Sequence, residues 1–109
     1  MNFQDLVVVV FSYIDFGGNN KWLPDLGNCC PRLKSLNLDL CTGYTVKAVQ
    51  AIVEMRMKRE EIASLEELRM YPSYGESDCT ATNEEIVWFS RVLKFNGKRP
   101  WYHIKGYDS

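Results

Sequence analysis

Apolar residues recur along the chain in a spacing that appears three times. Residues 33–41 (LKSLNLDLC) place apolar side chains at relative positions one, four and six, and a cysteine at position nine. Residues 65–73 (LEELRMYPS) repeat this spacing with a serine at position nine, and residues 6–14 (LVVVVFSYI) form a weaker copy. The copies thus start at Leu6, Leu33 and Leu65. Recurrence of one apolar spacing at starts this far apart along a chain is typical of repeat architectures.

Each copy predicts a short parallel strand, because alternate residues of a strand point to opposite faces of a sheet. Leu36 and Leu38 of the second copy are predicted to face inward, as are Leu68 and Met70 of the third. Cys41, at position nine, stands where the chain leaves the strand, and its small side chain can meet neighbouring backbone amides there. The outward positions of these two copies are Ser35, Asn37, Asp39, Glu67, Arg69 and Tyr71.

The segments between the copies carry helical patterns. Thr45 is an N-cap candidate ahead of apolar residues at helical spacing between 46 and 57, and residues 82–85 (TNEE) form a capping box before a second apolar stripe. We expect residues 96–97 to end that second helix as a C-cap, and residues 22–30 to contain one or two helical turns. The predicted order is β-α-β-α-β-α, an α/β fold with a parallel curved sheet backed by helices.

Residues 28–41 (NCCPRLKSLNLDLC) resemble the CPxLxxLxLxxC register of leucine-rich repeats in F-box proteins. Residues 46–59 and 64–69 are similar to the C-terminal repeats of fungal F-box-like proteins. The resemblance implies a short leucine-rich-repeat solenoid, a single domain over residues 1–109. It would contain about three repeats starting near 6, 33 and 65, with residues 96–109 as a C-terminal cap or tail.

In that family an F-box docks the chain on a ubiquitin-ligase adaptor, and the repeats capture the substrate. The resemblance therefore implies substrate recognition for ubiquitin ligation. The segment that precedes Pro31 is too short for an F-box and is partly strand-like. We accordingly expect the docking module to be supplied elsewhere or lost.

Composition narrows the class of protein. A chain of 109 residues with 46% hydrophobic side chains is typical of one globular domain. Thirteen basic and fourteen acidic residues give a net charge of −1, so no global field attracts polyanions or a membrane. One histidine excludes a multi-histidine metal site, and the four cysteines show no CxxC spacing. Reduced, buried thiols and the lack of a secretory signal pattern predict a cytoplasmic or nuclear protein.

The outward strand positions are the candidate protein-binding residues. Stacked repeats would place Val10, Asn37 and Arg69 in one row and Asp39 diagonally near Arg69. Arginine and tyrosine are frequent among the residues that dominate interfaces. The predicted binding residues are Asn37, Asp39, Glu67, Arg69, Tyr71 and, in the loop after the third strand, Tyr74.

The sequence leaves three alternatives open. Basic and aromatic residues interleave from 91 to 105, a combination that can hold single-stranded nucleic acid, although the segment can instead cap the last repeat. An apolar edge strand at 7–11 could pair with a second copy of the chain. A Cys–His pair could join Cys79 or Cys41 to His103, but His103 lies in the predicted terminal extension. We expect a non-catalytic protein without cofactor, metal or membrane partner.

Overall fold

A computed structural model describes residues 5–18, 29–71 and 79–97 of the chain. Within these ranges, four strands form one parallel sheet in which the strands lie side by side in chain order. A helix connects the second strand to the third, and another connects the third to the fourth. The elements are β1 (Val8–Val10), β2 (Ser35–Asn37), α1 (Val46–Lys58), β3 (Glu67–Met70), α2 (Asn83–Val92) and β4 (Lys94–Gly97).

The strand register confirms the predicted alignment of the three copies. Val9 is aligned with Leu36, Leu36 with Leu68, and Leu68 with Phe95, so these four residues form one row across the core face of the sheet. The first three of them each occupy position four of a predicted copy, so the strands pair in the register that the sequence spacing requires. The α/β fold with a parallel sheet is therefore as predicted from the sequence.

The loop that follows β1 repeats the backbone path of the loop that follows β2. Tyr13 and Leu40 both have positive φ angles, 61° and 62°, at equivalent positions after their strands. Two residues later, Asp15 and Thr42 form an isolated parallel bridge. The backbone N–H of Phe16 then donates to the carbonyl of Thr42 at 2.9 Å. The correspondence therefore extends beyond the strands, which supports treating residues 6–14 as a copy of residues 33–41.

Both helices begin where the sequence predicts. The Thr45 hydroxyl accepts a hydrogen bond from the backbone N–H of Ala48 at 3.2 Å, which caps α1. At the start of α2, the Thr82 hydroxyl accepts from the Glu85 N–H and the Glu85 carboxylate accepts from the Thr82 N–H, so the capping box is formed. Each helix buries its apolar stripe against the sheet, with these residues in the core: Val46, Val49, Ile52, Val53, Ile86 and Phe89.

The predicted end of α2 is wrong. The helix stops at Val92, and Asn96 and Gly97 belong to β4, which pairs with β3. The Phe95 ring stacks on Phe89, with 5.1 Å between the ring centroids. Pairing with β3 and burial of this ring favour the extended conformation over the turn that an Asn-Gly pair favours locally.

Some predictions concern residues outside the described ranges. These are the helical turn over residues 22–28, Tyr74, and the basic and aromatic segment beyond Gly97. In the described part of the chain, neither helix has the length and apolar composition that crossing a membrane requires.

Candidate functional site

The outward side of the sheet, here called the solvent face, carries the candidate residues. The strand register arranges its side chains in two rows that cross all four strands. Asp39 and Tyr71 lie just beyond the ends of β2 and β3. The first row is Val8, Ser35, Glu67 and Lys94, and the second row is Val10, Asn37, Arg69 and Asn96.

Arg69 is the centre of a polar cluster that joins β2 and β3. Its Nε donates to Oδ2 of Asp39 at 3.1 Å, which confirms the predicted diagonal contact. The other carboxylate oxygen of Asp39 accepts the backbone N–H of Tyr71 at 3.2 Å. The guanidinium carbon of Arg69 lies 5.2 Å from the centroid of the Tyr71 ring, within the range of a cation–π contact. These contacts hold the arginine while its side chain remains 43% exposed.

Asn37 positions Asp39, a role that the sequence did not reveal. Its side-chain Oδ1 accepts the backbone N–H of Asp39 at 2.8 Å, which is the local turn that asparagine favours. Leu40 then takes a φ of 62°, and its N–H donates to the carbonyl of Tyr71 at 2.7 Å. The backbone after β2 is therefore tied to the backbone after β3, and the cluster rests on this fixed frame.

Glu67 contacts both of its polar neighbours in the first row, Ser35 and Lys94. The Ser35 hydroxyl donates to Oε1 of Glu67 at 3.3 Å, and Lys94 Nζ lies 3.8 Å from Oε2. The sequence pattern predicts Lys94 in a basic terminal segment, because it does not predict β4. Lys94 follows Glu67 at the same interval as Ser35 follows Val8, and this spacing could have identified it.

The β1 end of the solvent face is apolar. Val8 and Val10 occupy neighbouring outward positions of β1 and are 54% and 59% exposed. Across the sheet, the second row therefore changes from an apolar side chain at Val10 to an amide at Asn37 and a guanidinium at Arg69.

Cys41 is buried beneath the solvent face, and its thiol contacts the backbone there. Its thiol lies 3.3 Å from the Phe11 carbonyl oxygen and 3.7 Å from the Asp39 carbonyl oxygen, as a donor to both. Burial raises the pKa of the Cys41 thiol, so the protonated donor is favoured. The sequence predicts backbone amides as the partners of position nine, whereas the groups to which the protonated Cys41 thiol donates are backbone carbonyls.

The other cysteines occupy structural positions. Cys30 and Cys79 are buried, Cys29 is half-buried, and all are free thiols. The Cys79 thiol donates to the Tyr44 carbonyl at 3.1 Å. Among the residues described here, no three His, Cys, Asp or Glu side chains are grouped so that they could hold a metal ion.

The structure thus brings five of the six predicted binding residues together, and the sixth, Tyr74, lies outside the described residues. The five are Asn37, Asp39, Glu67, Arg69 and Tyr71, and Lys94 joins them. In comparisons with known proteins, no family model, curated protein or solved structure matches the chain.

Proposed function

We propose that the chain is a short leucine-rich-repeat solenoid whose solvent face binds another protein without catalysis. The observation that carries the proposal is the cluster of Asp39, Arg69 and Tyr71. It joins two strands through side-chain and backbone contacts and still presents an arginine and a tyrosine to solvent. Residues of these two types dominate the energetics of many protein interfaces.

The physical advantage of this cluster is preorganisation. Binding costs free energy when long side chains must be immobilised at an interface. Arg69 is already held by the Asp39 carboxylate and the Tyr71 ring. Binding a partner would therefore cost less side-chain entropy at Arg69 than at a freely moving arginine. The neighbouring Val8 and Val10 add apolar area that a partner can cover.

The repeat interpretation is supported by the intervals between strands and by Cys41, whose thiol joins the first two copies at position nine. We further propose, from the resemblance to F-box proteins, that the bound partner is a substrate for ubiquitin ligation. The protein would then act in the cytoplasm or nucleus, with the docking module supplied by another chain or segment.

Photo-crosslinking tests the proposal by comparing two sides of the molecule. Val10 on the solvent face and Val87 on α2 are 59% and 50% exposed, which makes them a matched pair of positions. We expect benzoylphenylalanine at position 10 to form a discrete crosslinked product in cell extract, and benzoylphenylalanine at position 87 to form none. Equal crosslinking at both positions, or a product from position 87 alone, would contradict binding by the solvent face.

A further inference from the structure

We infer that the chain forms a two-fold symmetric dimer in which the β1 strands of two copies pair antiparallel, so that two four-stranded sheets become one continuous sheet. The inference goes beyond the proposed function, because pairing of the strand edges leaves the solvent face open. It rests on the backbone groups and side chains of β1, compared with those of β4 at the opposite edge of the sheet.

The backbone of β1 has free groups at the outer edge of the sheet. In a parallel pair of strands, alternate residues direct their N–H and C=O groups toward the neighbouring strand. The Val7 carbonyl accepts a hydrogen bond from the backbone ahead of β2, and the Phe11 N–H donates to the last residue of β2, both at 2.8 Å. The odd-numbered residues therefore face β2. Val8 and Val10 direct their backbone groups to the other side, where no strand of the described ranges lies.

A two-fold axis perpendicular to the sheet at Val9 matches these groups with those of a second copy. It places Val8 opposite Val10 of the second copy as an antiparallel pair of residues that exchange both backbone hydrogen bonds. The two Val9 residues then face each other without hydrogen bonds between them. Every outward backbone group of β1 finds a partner in this register, because the two outward residues lie symmetrically about Val9.

The side chains along this edge are apolar and uncharged. Val7, Val8 and Val10 are 43%, 54% and 59% exposed, and no charged residue lies between Asp5 and Asp15. The two-fold register places β-branched side chains directly opposite one another across the two strands, which stabilises a sheet. The valines of both copies then form one apolar strip at the centre of the combined solvent face.

The opposite edge of the sheet is protected, whereas the β1 edge is not. Open edges of natural sheets usually carry charged residues, lysine above all, which prevent association. β4 begins with Lys94, whose side chain is well exposed. Stacking β1 of a second copy on β4 in the register of the array would place Val8 beside this lysine. The side chains therefore favour pairing of β1 with β1 over a head-to-tail array of copies.

The dimer is expected to be weak and to present two binding sites on one face. A standard stable interface buries about 800 Å² on each partner, and one short strand covers less, so we expect a Kd in the micromolar range. Neighbouring strands lie about 4.8 Å apart, so the β3 strands of the two copies would be about 24 Å apart. The dimer would carry a cluster of Asp39, Arg69 and Tyr71 beside each of them.

Sedimentation equilibrium of the full chain, with its thiols kept reduced, measures the dimer over a range of concentrations. Val10→Pro removes an outward N–H and keeps the hydrogen bonds to β2, as proline does on edge strands. We expect it to weaken the dimer at least tenfold, because one hydrogen bond is lost on each side of the two-fold axis. Val8→Lys places a charge on the edge and should also weaken the dimer at least tenfold, whereas Val87→Lys on α2 should leave the Kd unchanged. Circular dichroism verifies that each variant is folded, and Val8→Lys decides the question if the proline variant is not.

A cysteine at position 9 tests the register. Facing residues without hydrogen bonds between them lie about 4.5 Å apart at Cα, which is within the range of a disulfide. Val9→Cys should therefore form a covalent dimer rapidly with oxidised glutathione. Val8→Cys should form much less, because it faces Val10 of the second copy. The original chain gives the background from its own free thiols.

Three results would overturn the inference. They are a monomer at every concentration up to about 1 mM, a dimer whose Kd is unchanged in both Val10→Pro and Val8→Lys, and a disulfide that forms as fast at position 8 as at position 9. Photo-crosslinking from position 10 separates this inference from the proposed function, because a second copy doubles the mass of the chain and another protein adds its own mass. A doubled product alone supports the dimer and contradicts the proposed function. A product with another protein, from a chain that sediments as a monomer, supports the proposed function and overturns the dimer.

Discussion

Arg56 offers the sharpest test of how the fold is held together. Its side chain on α1 is fully buried, with 0% of its surface exposed. Its Nη2 donates to the backbone carbonyl of Leu33 at 2.9 Å and, less closely, to that of Pro31 at 3.4 Å. Both acceptors lie in the turn that leads into β2, so this arginine ties the helix to the start of the strand.

We predict that Arg56→Met lowers the free energy of unfolding by about 2–3 kcal/mol. Methionine fills much of the same volume but leaves the Leu33 carbonyl without this donor in a buried position, which costs about 1–3 kcal/mol. Losing the weaker bond to Pro31 adds to this cost. Removal of a buried charge offsets part of the loss, because a cation is expensive to bury. A lysine keeps the charge and can still donate from its single nitrogen, so Arg56→Lys should lose roughly half as much.

Urea unfolding followed by circular dichroism measures the effect. For a domain of this size, the predicted loss corresponds to a decrease in Tm of roughly 10 °C. Arg91→Met is the control, because Arg91 is an exposed residue in the last turn of α2 and should change stability by less than about 0.5 kcal/mol. If Arg56→Met is as stable as the original chain or more stable, the hydrogen bonds to the turn do not stabilise the fold.

Two further predictions follow. One concerns the close approach of the first two copies at Gly43, and the other concerns the ionisation of two buried thiols and a buried phenol. Gly43 has a φ of 76°, and a Cβ there would lie 2.5 Å from the backbone nitrogen of Gly17. Gly43→Ala should therefore cost about 2 kcal/mol or more in urea unfolding. Gly18→Ala should cost about 1 kcal/mol, because a Cβ at Gly18 meets no neighbour among the described residues. A similar loss in both variants would contradict the close approach. Burial raises the pKa of the Cys30 and Cys41 thiols and of the Tyr44 phenol. These groups therefore lose their protons more readily in the unfolded chain than in the folded chain. The free energy of unfolding should be constant below the ordinary thiol pKa of 9.0 and should decrease as the pH rises above it. A urea midpoint that is unchanged between pH 8 and about 10.5 would refute this account.

The parts of the fold that the sequence predicted depend on local patterns. The rows through Leu36 and Leu68 follow from alternation along each strand, and the starts of both helices follow from threonine side chains that cap the backbone. The contact between Asp39 and Arg69 could also be predicted, because the repeat interval fixes which residues become neighbours on adjacent strands.

The parts that were missed depend on tertiary contacts. Asn96 and Gly97 favour a turn locally, and their place in β4 depends on pairing with β3 and on the stacking of Phe95 against Phe89. The burial of Arg56 depends on carbonyl groups that the turn before β2 directs toward α1. Helical periodicity gives no sign of either arrangement, because the partners lie far away in the sequence.

The most direct test of the account is the affinity of the crosslinked partner, once purified, for a variant in which Asp39 and Arg69 are exchanged. Asp39→Arg with Arg69→Asp keeps opposite charges on the two strands, so the chain should remain folded, while the charge presented at each position is reversed. We predict that calorimetry shows at least a tenfold weaker Kd with little change in Tm, because charges that faced complementary groups now meet like charges. An unchanged Kd for the folded variant would contradict the claim that this cluster binds the partner.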